Sequence, residues 1–425
     1  MKAIAKLIND TYEIEEKLFE LLSCAETDCT HFYQDTAGIT DINQIKVLRA
    51  MQKNNLSDIH LHGSTGYGYG DIGRSTLEKV YADLFKSEAA LVRVQIVSGT
   101  HAIALALLGN LNRGEELISA TGRPYDTLAK VIGLREEYGS LKHNGVDYKE
   151  ISLTSDGKMN IERLIKQVTP NTKMIFFQRS RGYEWRPSFS IPELEHAIGA
   201  IKSVYPDLIC LVDNCYGEFV ETREPIEIGA DLVAGSLIKN PGGGLALTGG
   251  YIAGNNELVR RAGIRLSAPG IGTEVGASLN FNRTAFQGLF MAPMIVAQAL
   301  NGAILGARFF ELLGYPVLPA YNERRTDIIQ AIRLGSKELM CAFCRGLQRA
   351  CPLDSQATPL PDMLPGYEHE VIMAGGTFIQ GSSIELSADG PIRPPYEIFL
   401  QGGLTFSHVK IGLLLAAQEV LRRSK

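Results

Sequence analysis

From residue 91 onward, short apolar runs alternate with segments of helical periodicity, and this rhythm limits the possible folds more than any other feature of the chain. The runs are "LVRVQIV" (91–97), "EELISA" (115–120), "MIFFQ" (174–178), "LICLVD" (208–213), "LVAGSL" (232–237) and "GGYIAG" (249–254). Amphipathic stretches such as "IPELEHAIGAIKSVY" lie between several of them. A helix between two strands returns the second parallel to the first, and strands covered on both faces read as unbroken apolar runs. The expected fold class is therefore α/β, with a mainly parallel central sheet and helices on both faces. Ligands of such sheets collect at the carboxyl ends of the strands, so chemistry is sought just after each run.

The length of 425 residues accommodates a large domain and a smaller one. Residues 1–60 read as an N-terminal helical segment, 61–290 as the large domain, and 291–425 as a smaller α/β domain with strands at 370–376 and 382–388. The opening stretch suggests an amphipathic helix with Ile4, Leu7, Ile8, Tyr12, Ile14, Leu18 and Leu21 on or near one face. Its scattered charges do not suit a secretory signal. The uncharged stretch Phe286–Ala307 is long enough to span a bilayer, but Pro293, Gln298 and Asn301 interrupt it, and it is read as a buried helix. A net charge of −5 offers no electrostatic attraction for nucleic acid. Seven cysteines without a regular framework point to a reducing, cytoplasmic setting. Cys341 and Cys344 form a C-x-x-C on a helical pattern with no second pair, so packed thiols are expected there and no metal.

Three strand ends carry unusual residues. Ser98, Gly99 and Thr100 follow the first run and open a helix, whose free N–H groups and positive dipole end suit a phosphate. Asp213 ends a run that should be central and buried, and such a carboxylate needs an arginine or a protonated ring nitrogen as partner. Lys239 follows the run containing Ser236, and glycines crowd behind it. Neither "GSTGYGYGDIGRS" (63–75) nor "NPGGGLALTGG" (240–250) matches a P-loop or a dinucleotide fingerprint. Tyr125 lies just beyond another strand, where an aromatic ring could cover a flat ligand. Pyridoxal phosphate (PLP) joins these demands in one molecule: a phosphate, a ring nitrogen that wants an acid, and an aldehyde that wants an amine.

The runs "VSGTHAI", "VDNCYGEF", "SLIKNPGGGLALTGGYIAG" and "GGTFIQGSSIELSADGPIRPPY" carry a resemblance to the fold-type I PLP enzymes of the cystathionine/methionine lyase group. More narrowly, the chain is similar to the methionine gamma-lyase-like family also labelled aluminium resistance protein. That resemblance implies that Lys239 bonds the cofactor as an imine, Asp213 pairs with its ring nitrogen and Tyr125 stacks on the ring. Ser98, Gly99, Thr100 and Ser236 would hold the phosphate. In this group a tyrosine and an arginine from a neighbouring subunit complete the phosphate site. Here Tyr67 or Tyr69 and Arg74 are the candidates, although the usual tyrosine–any–arginine spacing is absent. Arg393 would grip the substrate carboxylate bidentately. Arg179 and Arg181 would either touch the cofactor or substrate, or make ion pairs. The implied activity is carbon–sulfur lysis of a sulfur-containing amino acid by a homo-oligomer, dimer or tetramer. An aminotransferase and a non-catalytic PLP-binding stress protein are the alternatives.

Overall fold

The structure is a computed structural model that describes residues 2–424, with side chains described from residue 6 onward. In chain order the helices are α1 (Lys2–Tyr12), α2 (Glu16–Lys53), α3 (Ile72–Phe85), α4 (Gly99–Asn110), α5 (Asp126–Ile132), α6 (Ile161–Gln167), α7 (Ile191–Val204), α8 (Asn256–Leu266), α9 (Asn282–Leu312), α10 (Lys337–Arg349) and α11 (Phe406–Ser424). The strands are β1 (Ala89–Arg93), β2 (Glu116–Ser119), β3 (Asp147–Glu150), β4 (Thr172–Gln178), β5 (Ile209–Asp213), β6 (Leu232–Ser236), β7 (Gly250–Gly254), β8 (Val317–Leu318), β9 (Gln330–Arg333), β10 (Val371–Ala374), β11 (Ser387–Pro391) and β12 (Glu397–Gln401). The chain divides into two compact units, one of Ile42–Gly182 with Arg186–Pro293, the other of Met1–Asp41, Tyr183–Trp185 and Met294–Lys425.

In the first unit, among the described residues, seven strands form a sheet in the order β1-β7-β6-β5-β4-β2-β3. The pairs β6/β5, β5/β4, β4/β2 and β2/β3 are parallel, whereas β7 runs antiparallel to both of its neighbours. The expected mainly parallel sheet is present. Period-two alternation sends Leu91, Met174, Phe176, Leu211, Leu232 and Ile252 to a face shared with α4, α5 and α8. Residues of the other parity, such as Val92, Ile175, Val212 and Val233, are buried as well. On that side Tyr251 of β7 stacks on Phe85 of α3, with centroids 5.2 Å apart. Burial on both faces explains why these strands read as continuous apolar runs.

Several boundaries differ from the sequence expectation. The first strand ends at Arg93, after which the Ile96 N–H bonds the Arg93 carbonyl at 3.2 Å and turns the chain. Ser98 is thus a helix cap and not a strand end. The polar edge strand β3 ("DYKE") carries no apolar signal.

The second unit holds a sheet in the order β10-β11-β12-β9-β8, antiparallel throughout. Its core joins Ile332, Ile372, Ala388 and Ile398 with α10 and α11. Strand β11 begins at Ser387, so 382–388 is mostly loop. Ile14 and Leu18 are buried as the amphipathic pattern requires, but Leu7 is 70% exposed and the Ile4 side chain lies outside the described residues. Cys341 and Cys344 lie on α10 as free thiols, and no group of potential metal ligands exists among the described residues. Helix α9 is long and apolar enough to cross a membrane, yet most of its apolar stretch is buried within the protein.

Candidate active site

The carboxyl ends of β5 and β6 and the first turn of α4 meet at one point in the first unit. Ser98 caps α4 by accepting the His101 N–H at 3.0 Å. Gly99 lets the helix come close: a Cβ there would stand 3.1 Å from Cys215 Sγ and 3.3 Å from Ser236 Cβ. Thr100 Oγ1 lies 3.2 Å from the Tyr125 hydroxyl and 3.2 Å from Thr127 Oγ1. Tyr125 precedes α5, and its backbone N–H is held by Gln178 Oε1 at 3.1 Å.

Asp213 ends β5 and is 5% exposed, and its Oδ1 accepts the Cys215 N–H at 3.1 Å. Ser236 ends β6 and is 1% exposed. Lys239 follows in the loop toward β7, only partly exposed, with Nζ 3.8 Å from the centroid of the Tyr216 ring. Tyr216 adopts a left-handed φ of 72°, an uncommon conformation for a side chain of its size.

The three ionisable groups feel one another's charge. Burial pushes the Asp213 carboxyl above its ordinary range, and the Lys239 ammonium and the Cys215 thiol draw it back. Burial also opposes the ammonium of Lys239, but the acidic neighbours Cys215, Tyr216, Asp213 and Tyr125 outweigh it and raise the amine. The Tyr125 hydroxyl is pushed well above its ordinary value, first by burial and then by the negative charge of Asp213. A carboxyl, an amine and a phenol thus share one crowded site beside a helix N-terminus.

Residues 18–421 match the family model described as methionine gamma-lyase. The chain belongs to the methionine gamma-lyase family. It is 49% identical to the Bacillus subtilis protein YnbB over 97% of this chain and 99% of that one. It is 25% identical to the L-methionine gamma-lyase of Pseudomonas putida over 74% of this chain and 76% of that one. A solved structure titled carbon-sulfur lyase involved in aluminum resistance, from Clostridium novyi, matches with a TM-score of 0.94 and 46% identity, covering 97% of this chain and 98% of that chain. The fold is that of the fold-type I PLP-dependent enzymes.

Of the residues singled out from sequence, Ser98, Gly99, Thr100, Tyr125, Asp213, Ser236 and Lys239 belong to this cluster. Tyr67 and Tyr69 are 72% and 70% exposed and stack on each other with centroids 5.4 Å apart. Arg74 is 5% exposed, and its guanidinium donates to the carbonyls of Gly68, Glu274 and Gly276. It braces its own loop. Arg179 is fully buried and makes one of the ion pairs expected of it, with Glu221 at 2.8 Å. Arg181 is 2% exposed, and its backbone N–H donates to Ser188 Oγ at 3.0 Å. Arg393 belongs to the other unit, where Nη2 lies 3.3 Å from the Tyr183 carbonyl and 3.5 Å from Glu184 Oε1. Sequence reasoning missed Cys215 and Tyr216, whose only signal was their closeness in sequence to Asp213.

Proposed function

We propose that this protein is a PLP-dependent carbon–sulfur lyase acting on a sulfur-containing amino acid. The observation that carries the proposal is the meeting of Lys239, Asp213 and Tyr125 beside the first turn of α4. These residues fit PLP by the chemistry of the donor set. Gly99 lets the first turn of α4 close on Cys215 and Ser236, Asp213 is a buried acid beside a lysine, and the Lys239 amine sits over an aromatic face. Ser98, Gly99, Thr100 and Ser236 would hold the phosphate through backbone N–H and hydroxyl groups. Asp213 would keep a proton on the pyridine nitrogen, Tyr125 would cover the ring, and Lys239 would bind the cofactor covalently.

When bound, PLP supplies an electron sink for negative charge developing at the α-carbon of an amino acid. The chain's own groups do the rest. Lys239 Nζ, set among the acidic groups of Asp213, Cys215, Tyr216 and Tyr125, would be the base that removes the α-proton. Asp213, a buried acid, would keep the ring nitrogen protonated and so support the electron sink that the cofactor supplies. Tyr125, hydrogen-bonded to Thr100, keeps its hydroxyl protonated and fixed as an orienting group. Arg393 would hold the substrate carboxylate, with Arg181 as a further substrate-binding candidate. Departure of sulfur from the β- or γ-carbon leaves a 2-oxo acid and ammonia after hydrolysis. Tyr67 and Tyr69, exposed as they are, would complete the phosphate site of a second subunit, which requires at least a dimer.

The test is a product screen of the purified, PLP-loaded protein with cystathionine, methionine, homocysteine and cysteine. Release of a thiol with a 2-oxo acid and ammonia is expected. Accumulation of pyridoxamine phosphate would show an aminotransferase, and cofactor binding without turnover would show a binding protein. Lys239→Ala is expected to lose an absorbance band near ~420 nm, and an unchanged spectrum would remove the lysine from this role.

A further inference from the structure

Next to the Lys239 cluster lies an acid that the chemistry above does not use. Glu218 is 0% exposed. Its Oε1 accepts the Tyr251 hydroxyl at 2.7 Å, while Oε2 is buried with no hydrogen-bond partner among the described residues. The main-chain carbonyl of the same residue accepts Asn240 Nδ2 at 2.9 Å, and Asn240 directly follows Lys239. The carboxyl lies against β6: a Cβ on Gly235 would come within 2.6 Å of Oε1. Glu218 therefore ties the segment after β5 both to β7 and to the loop that carries the lysine.

A carboxylate with one oxygen unpartnered in the protein interior is costly, and a bound proton relieves the cost. Burial pushes this carboxyl up to about 8, against the opposing pull of the Tyr251 hydroxyl and of Lys239. The titratable groups that face it are Tyr251 on β7, Tyr81 on α3, Glu224, Cys215 and Lys239.

We propose that Glu218 is a positioning residue that anchors the Lys239 loop and, by keeping or losing its own proton, sets the charge felt by the Lys239 amine. The proposal rests on Lys239 being the cofactor lysine. With the proton on, Glu218 is neutral and leaves the amine to Asp213. With the proton off, a second buried negative charge favours the charged form of that nitrogen.

The experiment titrates the absorbance of the PLP-loaded, full-length protein from about pH 6 to about pH 10. Wild type is expected to show a step near the Glu218 value of about 8. E218Q should lack that step while keeping the band. Y251F removes a hydrogen bond that favours the carboxylate, so it should move the step to higher pH. A step retained in E218Q, or unmoved in Y251F, overturns the proposal.

A second readout needs no cofactor. Glu218 has a folded-state value near 8 and an ordinary value of 4.5. The unfolded chain therefore releases this proton first, and wild type loses stability as pH rises through that window. E218Q should not show this loss, so its melting temperature relative to wild type should rise from pH 5 toward pH 8; parallel curves overturn the proposal. If wild type shows neither the absorbance band nor borohydride trapping of PLP on Lys239, the proposed function falls, and the melting comparison still judges Glu218.

Discussion

Two loops of the first unit, 63–74 and 213–224, combine the same kinds of residue and use them in opposite directions. Each pins its backbone with a buried arginine. Arg74 donates to the carbonyls of Gly68, Glu274 and Gly276, while Arg179 holds Asn214 Oδ1 at 2.7 Å, the Gly217 carbonyl at 3.0 Å and Glu221 at 2.8 Å. Each also carries tyrosine next to glycine. In 213–224 the left-handed turn at Tyr216 directs its ring toward the Lys239 amine of the same chain. In 63–74 the anchors point inward and the rings of Tyr67 and Tyr69 face outward. The backbone turn, and not the residue type, decides whether an aromatic ring serves its own site or is left for another molecule.

The largest expected effect tests the anchors. Arg179→Met leaves Glu221 buried without its cation and should cost ~3–5 kcal/mol in urea unfolding. Arg74→Met loses hydrogen bonds to neutral carbonyls and should cost ~1–3 kcal/mol. Equal losses would erase the distinction between the two loops. An intermediate effect is expected at the junction: Gly99→Ala forces a methyl group against Cys215 and Ser236 and should cost ~1–3 kcal/mol, with weaker PLP retention measured by dialysis. The smallest effect on stability belongs to the exposed rings. Tyr67→Ala and Tyr69→Ala should shift unfolding by about 0.5 kcal/mol or less, yet lower PLP retention in an oligomer observed by sedimentation. Full retention in both variants would leave the exposed pair without a role at a neighbouring site.

Much of the site was legible because charge stands out against apolar runs. Asp213 and Lys239 each follow a run that must be buried, and a parallel sheet places both at the same edge. Gly99 was legible as a close approach, although the residue it makes room for, Cys215, was not. The positions of Cys215, Tyr216 and Glu218 depend on a left-handed turn at a tyrosine, which no local propensity favours. The roles of Arg179 and Arg181 stayed open for a similar reason: only the folded chain brings Glu221 to the former. The 382–388 stretch looked like a strand because of its alternation. In the structure Glu385 instead accepts the backbone N–H groups of Phe378 and Ile379 at 2.8 and 2.9 Å, and pairing starts later. Strand β3 escaped notice because an edge strand need not be apolar.

The reversed direction of β7 has a consequence for engineering this protein. Because β7 returns beside β6, with Ser236 opposite Gly250 and the Leu237 N–H bonded to the Gly249 carbonyl at 2.9 Å, the lysine rides on a hairpin closed at its base. Extra residues inserted beside Leu247, which is 66% exposed, should extend into solvent and leave the amine where it is. The buried stretch 240–243, with Gly243 against the Gly288 carbonyl, leaves no room for them. A single residue added within β6 would flip every following side chain to the opposite face and carry the amine away from Asp213.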